Sequence, residues 1–237
     1  MTVAVEYTTI GLIGAMDEEV ERFVSRMADA KQTVKAGIAF REGHWNGKRV
    51  IVCKCGVGKV NAAVCTQLLI DVFEVEAVVF TGVAGALHPE LDIGDLVVST
   101  DCMQHDMDVT PLGFAKGVIP FTNESVFPAD PSLVEAAVTA GEALYPGLVR
   151  RGRILSGDQF VADRDKVAEL YRDMQGMCVE MEGSAVAQTC RLNGVPFVVL
   201  RSMSDKADGS AHINFPEFTK LASERSAAIV ERMLGIL

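Results

Sequence analysis

The sequence predicts a single α/β domain in which helices cover a central sheet, and three observations carry that prediction. Short apolar runs alternate with stretches of helical period along the whole chain. Gly-rich segments follow several of those runs, as expected where strands end in tight turns beneath a ligand. A hydrophobic content of 49% over 237 residues suffices for one large core and requires no second domain. Residues 1–237 therefore read as one domain, with 1–9 as an N-terminal extension.

Taken in chain order, the apolar run Ile10–Gly14 predicts the first strand and Glu18–Met27 the first helix. Arg49–Cys53 (RVIVC) is the next strand, followed by a helix over Val60–Phe73. Ala77–Thr81 (AVVFT) and Leu96–Ser99 (LVVS) are too short and too apolar for helices and read as buried strands. Residues 102–130 lose periodicity and carry Pro111, Gly113, Gly117, Pro120 and Pro128, which predicts a long loop forming a lid, a binding wall or a subunit contact. A helix over Pro131–Leu144, a strand at Arg153–Ser156 and helices over Arg164–Tyr171 and Gly183–Asn193 follow, then the strand Pro196–Arg201. The final helix is expected over Pro216–Leu237: proline suits a first turn, and residues 218, 221, 222, 229, 230, 233 and 234 mark an apolar face.

Bulk properties exclude several functions. No apolar run approaches the roughly 20 residues of a membrane helix, and MTVAVEYTTI lacks the features of a signal peptide, so a cytoplasmic protein is expected. The six cysteines form no CxxC pair and read as reduced core thiols. With 22 basic against 32 acidic side chains, the net charge of −10 opposes a phosphate backbone; the one dense basic cluster, Arg150, Arg151 and Arg153, adjoins a strand. Neither nucleic acid nor membrane is an expected partner.

Cofactor motifs fail when spelled out. A P-loop ending at Gly58-Lys59 would need Gly where Cys53 stands and Ser or Thr where Val60 stands. A dinucleotide fingerprint from Gly56 would need Gly at Asn61. His105, Asp106 and Asp108 offer one imidazole and two acids without a second cluster, so no metal is expected. His44, His88 and His212 are isolated, and no serine sits in a GxSxG elbow.

Acids are the remaining chemical candidates. Glu19 opens a helix after a strand, Glu182 stands in VEMEGSA before another, and Asp205 follows FVVLRSMS. Each has a structural explanation, helix-dipole stabilisation for Glu19 and N-capping or pairing with Arg201 for the other two. Three carboxylates at the ends of different elements also fit one catalytic site.

The segments IGAMDEEV, GVGKVNAA, TGVAGAL, HDMDVT, SGDQFV, VEMEGSAVA and VPFVVLRSMSDKADGSAH occur in that order. As an ordered set they resemble the methylthioadenosine/S-adenosylhomocysteine nucleosidases of the nucleoside phosphorylase superfamily. The resemblance implies a central mixed sheet, often partly closed into a barrel, in a homodimer with no cofactor. It implies hydrolysis of 5′-methylthioadenosine, S-adenosylhomocysteine and 5′-deoxyadenosine to adenine and the 5′-substituted ribose, in methionine salvage. Carried onto this chain, it makes Asp205 the general acid at purine nitrogen-7 and Glu19 the residue that activates water. Glu182 would hold the ribose hydroxyls beside Glu180 and Met181, Phe160 would stack on adenine, and the Val161 backbone would read its edge. Met16, Val57 and Phe215 would line the sugar and 5′ region above Ala84 and Gly85, supported by Arg201 and Ser204. Val109, Leu112 and Pro120 would wall the neighbouring subunit's 5′ pocket. Val83 stands where some members carry Ser, and Leu112 where an aromatic is common. The alternatives are an aminodeoxyfutalosine nucleosidase and a phosphate-dependent phosphorylase, the latter disfavoured by the acids in Ala15–Glu19.

Overall fold

The computed structural model describes residues 7–206 and 211–237, without the side chains of Glu18, Glu19, 211–217 and Thr219. The strands are β1 (Thr9–Gly14), β2 (Ala28–Lys35), β3 (Ile38–Trp45), β4 (Lys48–Lys54), β5 (Ala77–Ala86), β6 (Leu96–Gln104), β7 (Val126–Pro128), β8 (Val149–Ser156), β9 (Gly176–Glu180) and β10 (Phe197–Asp205). The helices are α1 (Asp17–Arg26), α2 (Lys59–Phe73), α3 (Pro131–Leu144), α4 (Arg164–Met174), α5 (Gly183–Asn193) and α6 (Ala211–Leu234).

β5 organises the molecule. All ten residues of AVVFTGVAGA are buried, a continuous apolar run suited to a strand covered on both faces. Its first half pairs in parallel with β1, from Ile10 opposite Ala77 to Ile13 opposite Phe80. Its other edge pairs in parallel with β10, and its last residues, Gly85 and Ala86, pair antiparallel with β9. The sheet runs β10-β6-β8-β9-β5-β1-β4-β3-β2, and the extra β10–β5 pairing closes β5, β10, β6, β8 and β9 into a barrel. The mixed, partly closed sheet expected from the resemblance is therefore present. α6 packs on β5 and β10 with α1 and α3 at its flanks, while α2 and α5 pack on each other.

Helix ends follow from side-chain chemistry. Asp130 caps α3 by accepting from the amides of Ser132 and Leu133, with Pro131 in the first turn, where a missing N–H leaves no bond unmade. Asp163 caps α4 by accepting from the Lys166 amide. Buried Phe23, Phe40, Phe80 and Phe197 anchor the core, each worth about 1.5–3 kcal/mol on removal from water.

The structure corrects three expectations. β2, β3, β7 and β9 were not expected as strands; β2 is exposed along its whole length, and its apolar residues, Ala28, Ala30 and Val34, are too few and too small to mark a buried face. The expected loop 102–130 is shorter, because β6 continues through Gln104, Thr110–Leu112 forms a 3-10 turn and β7 pairs with β6. α6 begins at Ala211, five residues ahead of Pro216, so the proline that suggested a first turn does not mark the helix start. All six cysteines are buried thiols, as expected.

Candidate active site

Gly85 at the end of β5 lies opposite Asp205 of β10 on one side and Val179 of β9 on the other. Strand pairing thus brings the ends of β9 and β10 together although they are far apart in sequence. A cleft opens there. β5 contributes Val83, Ala84 and Gly85, and the turns after β1 and β4 contribute Ala15, Met16 and Val57. The facing wall is Gln159, Phe160 and Val161 after β8, then Val179 to Glu182 at β9 and Ser204 with Asp205 at β10.

The carboxylates divide into different environments. Asp205 is 3% exposed, and the Ser204 hydroxyl donates toward its Oδ2 at 2.9 Å while lying 3.4 Å from the Ala84 carbonyl. Glu182 occupies the N-cap position of α5 but makes no side-chain cap. Its Oε1 instead accepts from the Gly58 amide at 2.7 Å, which ties the carboxylate to the turn ahead of α2. Gly58 has φ +98°, a conformation strained for any residue with a Cβ, and a Cβ there would lie 3.1 Å from Asp158 Oδ1.

Glu180 lines the cleft, yet its carboxylate is engaged by the protein. Arg201 Nη2 lies 2.5 Å from Oε2, the Gly183 amide 2.9 and 2.8 Å from the two oxygens, and the Glu182 amide 3.2 Å from Oε2. The Ser156 hydroxyl donates to Oε1 and itself accepts from the Ser184 amide at 2.7 Å. Glu180 therefore holds the turn that presents Met181 and Glu182. Arg201, considered above as a partner for Asp205 or Glu182, pairs with Glu180; its guanidinium sits 3.9 Å over the Phe80 ring, with the side chain 1% exposed.

Of the residues singled out from sequence, Met16, Val57, Ala84, Gly85, Phe160, Val161, Glu180, Met181, Glu182, Ser204 and Asp205 share the cleft. Phe160 is half exposed at the rim, available as a stacking surface. Glu19 lies in the first turn of α1, and its side chain, like that of Phe215, falls outside the described residues. Val109, Leu112 and Pro120 lie between β6 and β7 and are not among the residues that line this chain's own cleft, with Leu112 exposed. Ala15, Gln159 and Val179 were missed, although all three stand inside motifs already quoted.

His105 is fully buried, and among the described residues neither ring nitrogen has a hydrogen-bond partner. Burial pushes its pKa below the usual imidazole value, with Asp106 and Glu180 acting against that shift and Lys166 and Lys59 adding to it. A Cβ on Gly157 would lie 2.5 Å from His105 Nε2, so only glycine lets the chain after β8 cross this ring.

Residues 9–235 match the family model described as the phosphorylase superfamily. The 5′-methylthioadenosine/S-adenosylhomocysteine nucleosidase of Halalkalibacterium halodurans is 40% identical over 97% of this chain and 99% of its own. This chain belongs to that nucleosidase family. Among solved nucleosidases, the Neisseria meningitidis enzyme in complex with methylthio-immucillin-A aligns with a TM-score of 0.93 at 39% identity. That alignment covers 97% of this chain and 100% of the Neisseria chain. The futalosine hydrolase of Helicobacter pylori strain 26695 also aligns with a TM-score of 0.93, at 34% identity over 97% of this chain and 98% of its own. The nucleoside phosphorylase-like fold read from the motifs is the fold observed.

Proposed function

We propose that the protein hydrolyses the N-glycosidic bond of 5′-methylthioadenosine and S-adenosylhomocysteine, and of 5′-deoxyadenosine, releasing adenine and the 5′-substituted ribose. The reading rests on family membership together with one observation: two buried carboxylic side chains, Asp205 and Glu182, open on one cleft whose rim carries Phe160. Bond cleavage builds oxocarbenium character on the ribose while electrons move onto the purine. An acid at the base and a carboxylate near the sugar answer those two charges. Asp205 is assigned to protonate nitrogen-7, Glu182 to hold the ribose hydroxyls and Glu19 to activate the water.

Release of adenine from methylthioadenosine, S-adenosylhomocysteine, 5′-deoxyadenosine and aminodeoxyfutalosine, each with and without phosphate, tests the reaction and the substrate together. Turnover of the first three without phosphate is expected. Exclusive turnover of aminodeoxyfutalosine would favour the second reading, which the Helicobacter relative supports. A requirement for phosphate would overturn hydrolysis.

Glu182→Gln and Glu19→Gln are expected to separate in kinetics. The first replaces a charge-assisted hydrogen bond to the sugar with a neutral one, weakening binding by about 1–2 kcal/mol as well as slowing turnover. The second keeps shape but loses the base, so turnover falls while a non-hydrolysable 5′-thioadenosine analogue still binds. Calorimetric titration of both variants reads the difference; the opposite pattern would exchange the roles.

The proposed enzyme works in the cytoplasm as a homodimer serving methionine salvage. On α2 and its leading turn, Val57, Val60 and Val64 are 52%, 74% and 42% exposed, and Leu112 and Phe121 are 69% and 93% exposed. An apolar set of this kind is costly to leave in water. Val60 and Val64, four residues apart, share one helix face. Sedimentation is expected to give two subunits, and Val60→Asp with Val64→Asp to give monomers with impaired turnover. A fully active wild-type monomer would remove the wall assigned to Val109, Leu112 and Pro120.

A further inference from the structure

The segment 157–161 that bears Phe160 and Val161 is joined to the start of α2 through a closed set of contacts spanning three parts of the chain. The Asp158 amide donates to Asp106 Oδ2 at 3.0 Å. Asp106 Oδ1 accepts from Lys59 Nζ at 2.7 Å. The Lys59 amide donates back to Asp158 Oδ1 at 2.8 Å, closing the ring. Asp158 is thus gripped through both its backbone and its side chain, one residue before Gln159 and two before Phe160. The Lys59 ammonium has a further acceptor in Gln104 Oε1 at 2.9 Å, and Gln104 donates to Gln188 Oε1 on α5 at 2.6 Å.

The ion pair inside this ring is largely shielded, with the Lys59 and Asp106 side chains only 19% and 14% exposed. Burial raises the Asp106 carboxyl, but the hydrogen bonds from Lys59 and Asp158 and the charges of Lys59 and His105 outweigh it and hold the group below its usual range. Asp106 therefore stays ionised and accepts from both partners. The residue ahead of Lys59, Gly58, donates to Glu182, so two consecutive amides of one turn each donate to a carboxylate, one on Glu182 and one on Asp158.

We propose that Lys59, Asp106 and Asp158 are positioning residues: their ring sets the base-stacking segment 157–161 at a fixed distance from Glu182, coupling the site for the base to the site for the sugar. The inference deepens the nucleosidase reading and rests on it for the naming of base and sugar, whereas the mechanical link rests on the contacts alone. None of the three residues needs to touch substrate. Breaking the ring leaves the catalytic acids in place and loosens the wall that the base stacks on.

Two measurements on the full chain test the link. In hydrogen–deuterium exchange, Lys59→Met and Asp106→Asn are expected to speed exchange in peptides covering 157–161 and 56–60, with the rest of the core unchanged. In kinetics, both variants are expected to raise KM for methylthioadenosine about tenfold while kcat changes by less than about threefold. Lys59→Arg, which keeps the cation, should restore most of the loss. The double variant should cost no more than the worse single one, because it removes both members of one pair. Unchanged exchange at 157–161 would overturn the link, as would a fall in kcat as large as the rise in KM accompanied by global destabilisation. Wild-type protein that cleaves no nucleoside would instead defeat the functional reading, with the exchange experiment still deciding whether the ring holds the segment.

Discussion

Asp205→Asn is expected to lower kcat for adenine release by about 10² to 10⁴-fold, the usual consequence of removing a general acid. Asparagine keeps the shape and the approach of the Ser204 hydroxyl, which lies 2.9 Å from Oδ2 in the wild type. It cannot deliver a proton to the departing base. The side chain ends β10 on the cleft opposite Gly85, is 3% exposed and is framed by strand pairing on both sides of β5, so the substitution should leave the fold intact. Steady-state kinetics with methylthioadenosine, paired with circular dichroism, make the comparison. A kcat within a few-fold of wild type would remove Asp205 from the role of acid.

The largest stability effect is expected from Arg201→Met. Arg201 and Glu180 form an ion pair with side chains 1% and 4% exposed, and removing one member of such a pair costs about 3–5 kcal/mol because the other charge stays buried. For a chain of this size that corresponds to a fall in melting temperature of roughly 6–20 °C. Glu180 would also lose the partner that aligns it with the Glu182 and Gly183 amides, so activity should fall through misplacement of Glu182. The double variant Arg201→Met with Glu180→Gln should recover part of the stability, since no uncompensated charge remains. Thermal denaturation of the single and double variants measures both effects. A single variant melting within about 2 °C of wild type would mean that the pair contributes little.

Much of this protein was legible in its sequence, and for physical reasons. The fully buried run of β5 and the apolar runs of β1, β4 and β10 announced a covered sheet, because a strand buried on both faces must be apolar throughout. The cleft was legible where motifs mark strand ends: Met16, Val57, Phe160, Glu182 and Asp205 each stand at or just beyond one, and strand ends are where an open α/β sheet receives its ligands. β2 escaped notice because an exposed edge strand, ADAKQTVK, has no buried face and so carries no large apolar residues beyond Val34.

What sequence by itself determined was the inventory, one α/β core with acids and glycines placed at the turns that end its strands. Tertiary structure alone decided the pairings. The β5–β10 edge that closes the barrel joins Val78 to Phe197, Arg201 meets Glu180 across 21 residues, and Lys59 meets Asp106 across 47 and Asp158 across 99. Local propensity and periodicity report on neighbours within a helical turn or along a strand. Which charged group answers which across the barrel depends on strand order and register, and these are settled only when the whole sheet assembles.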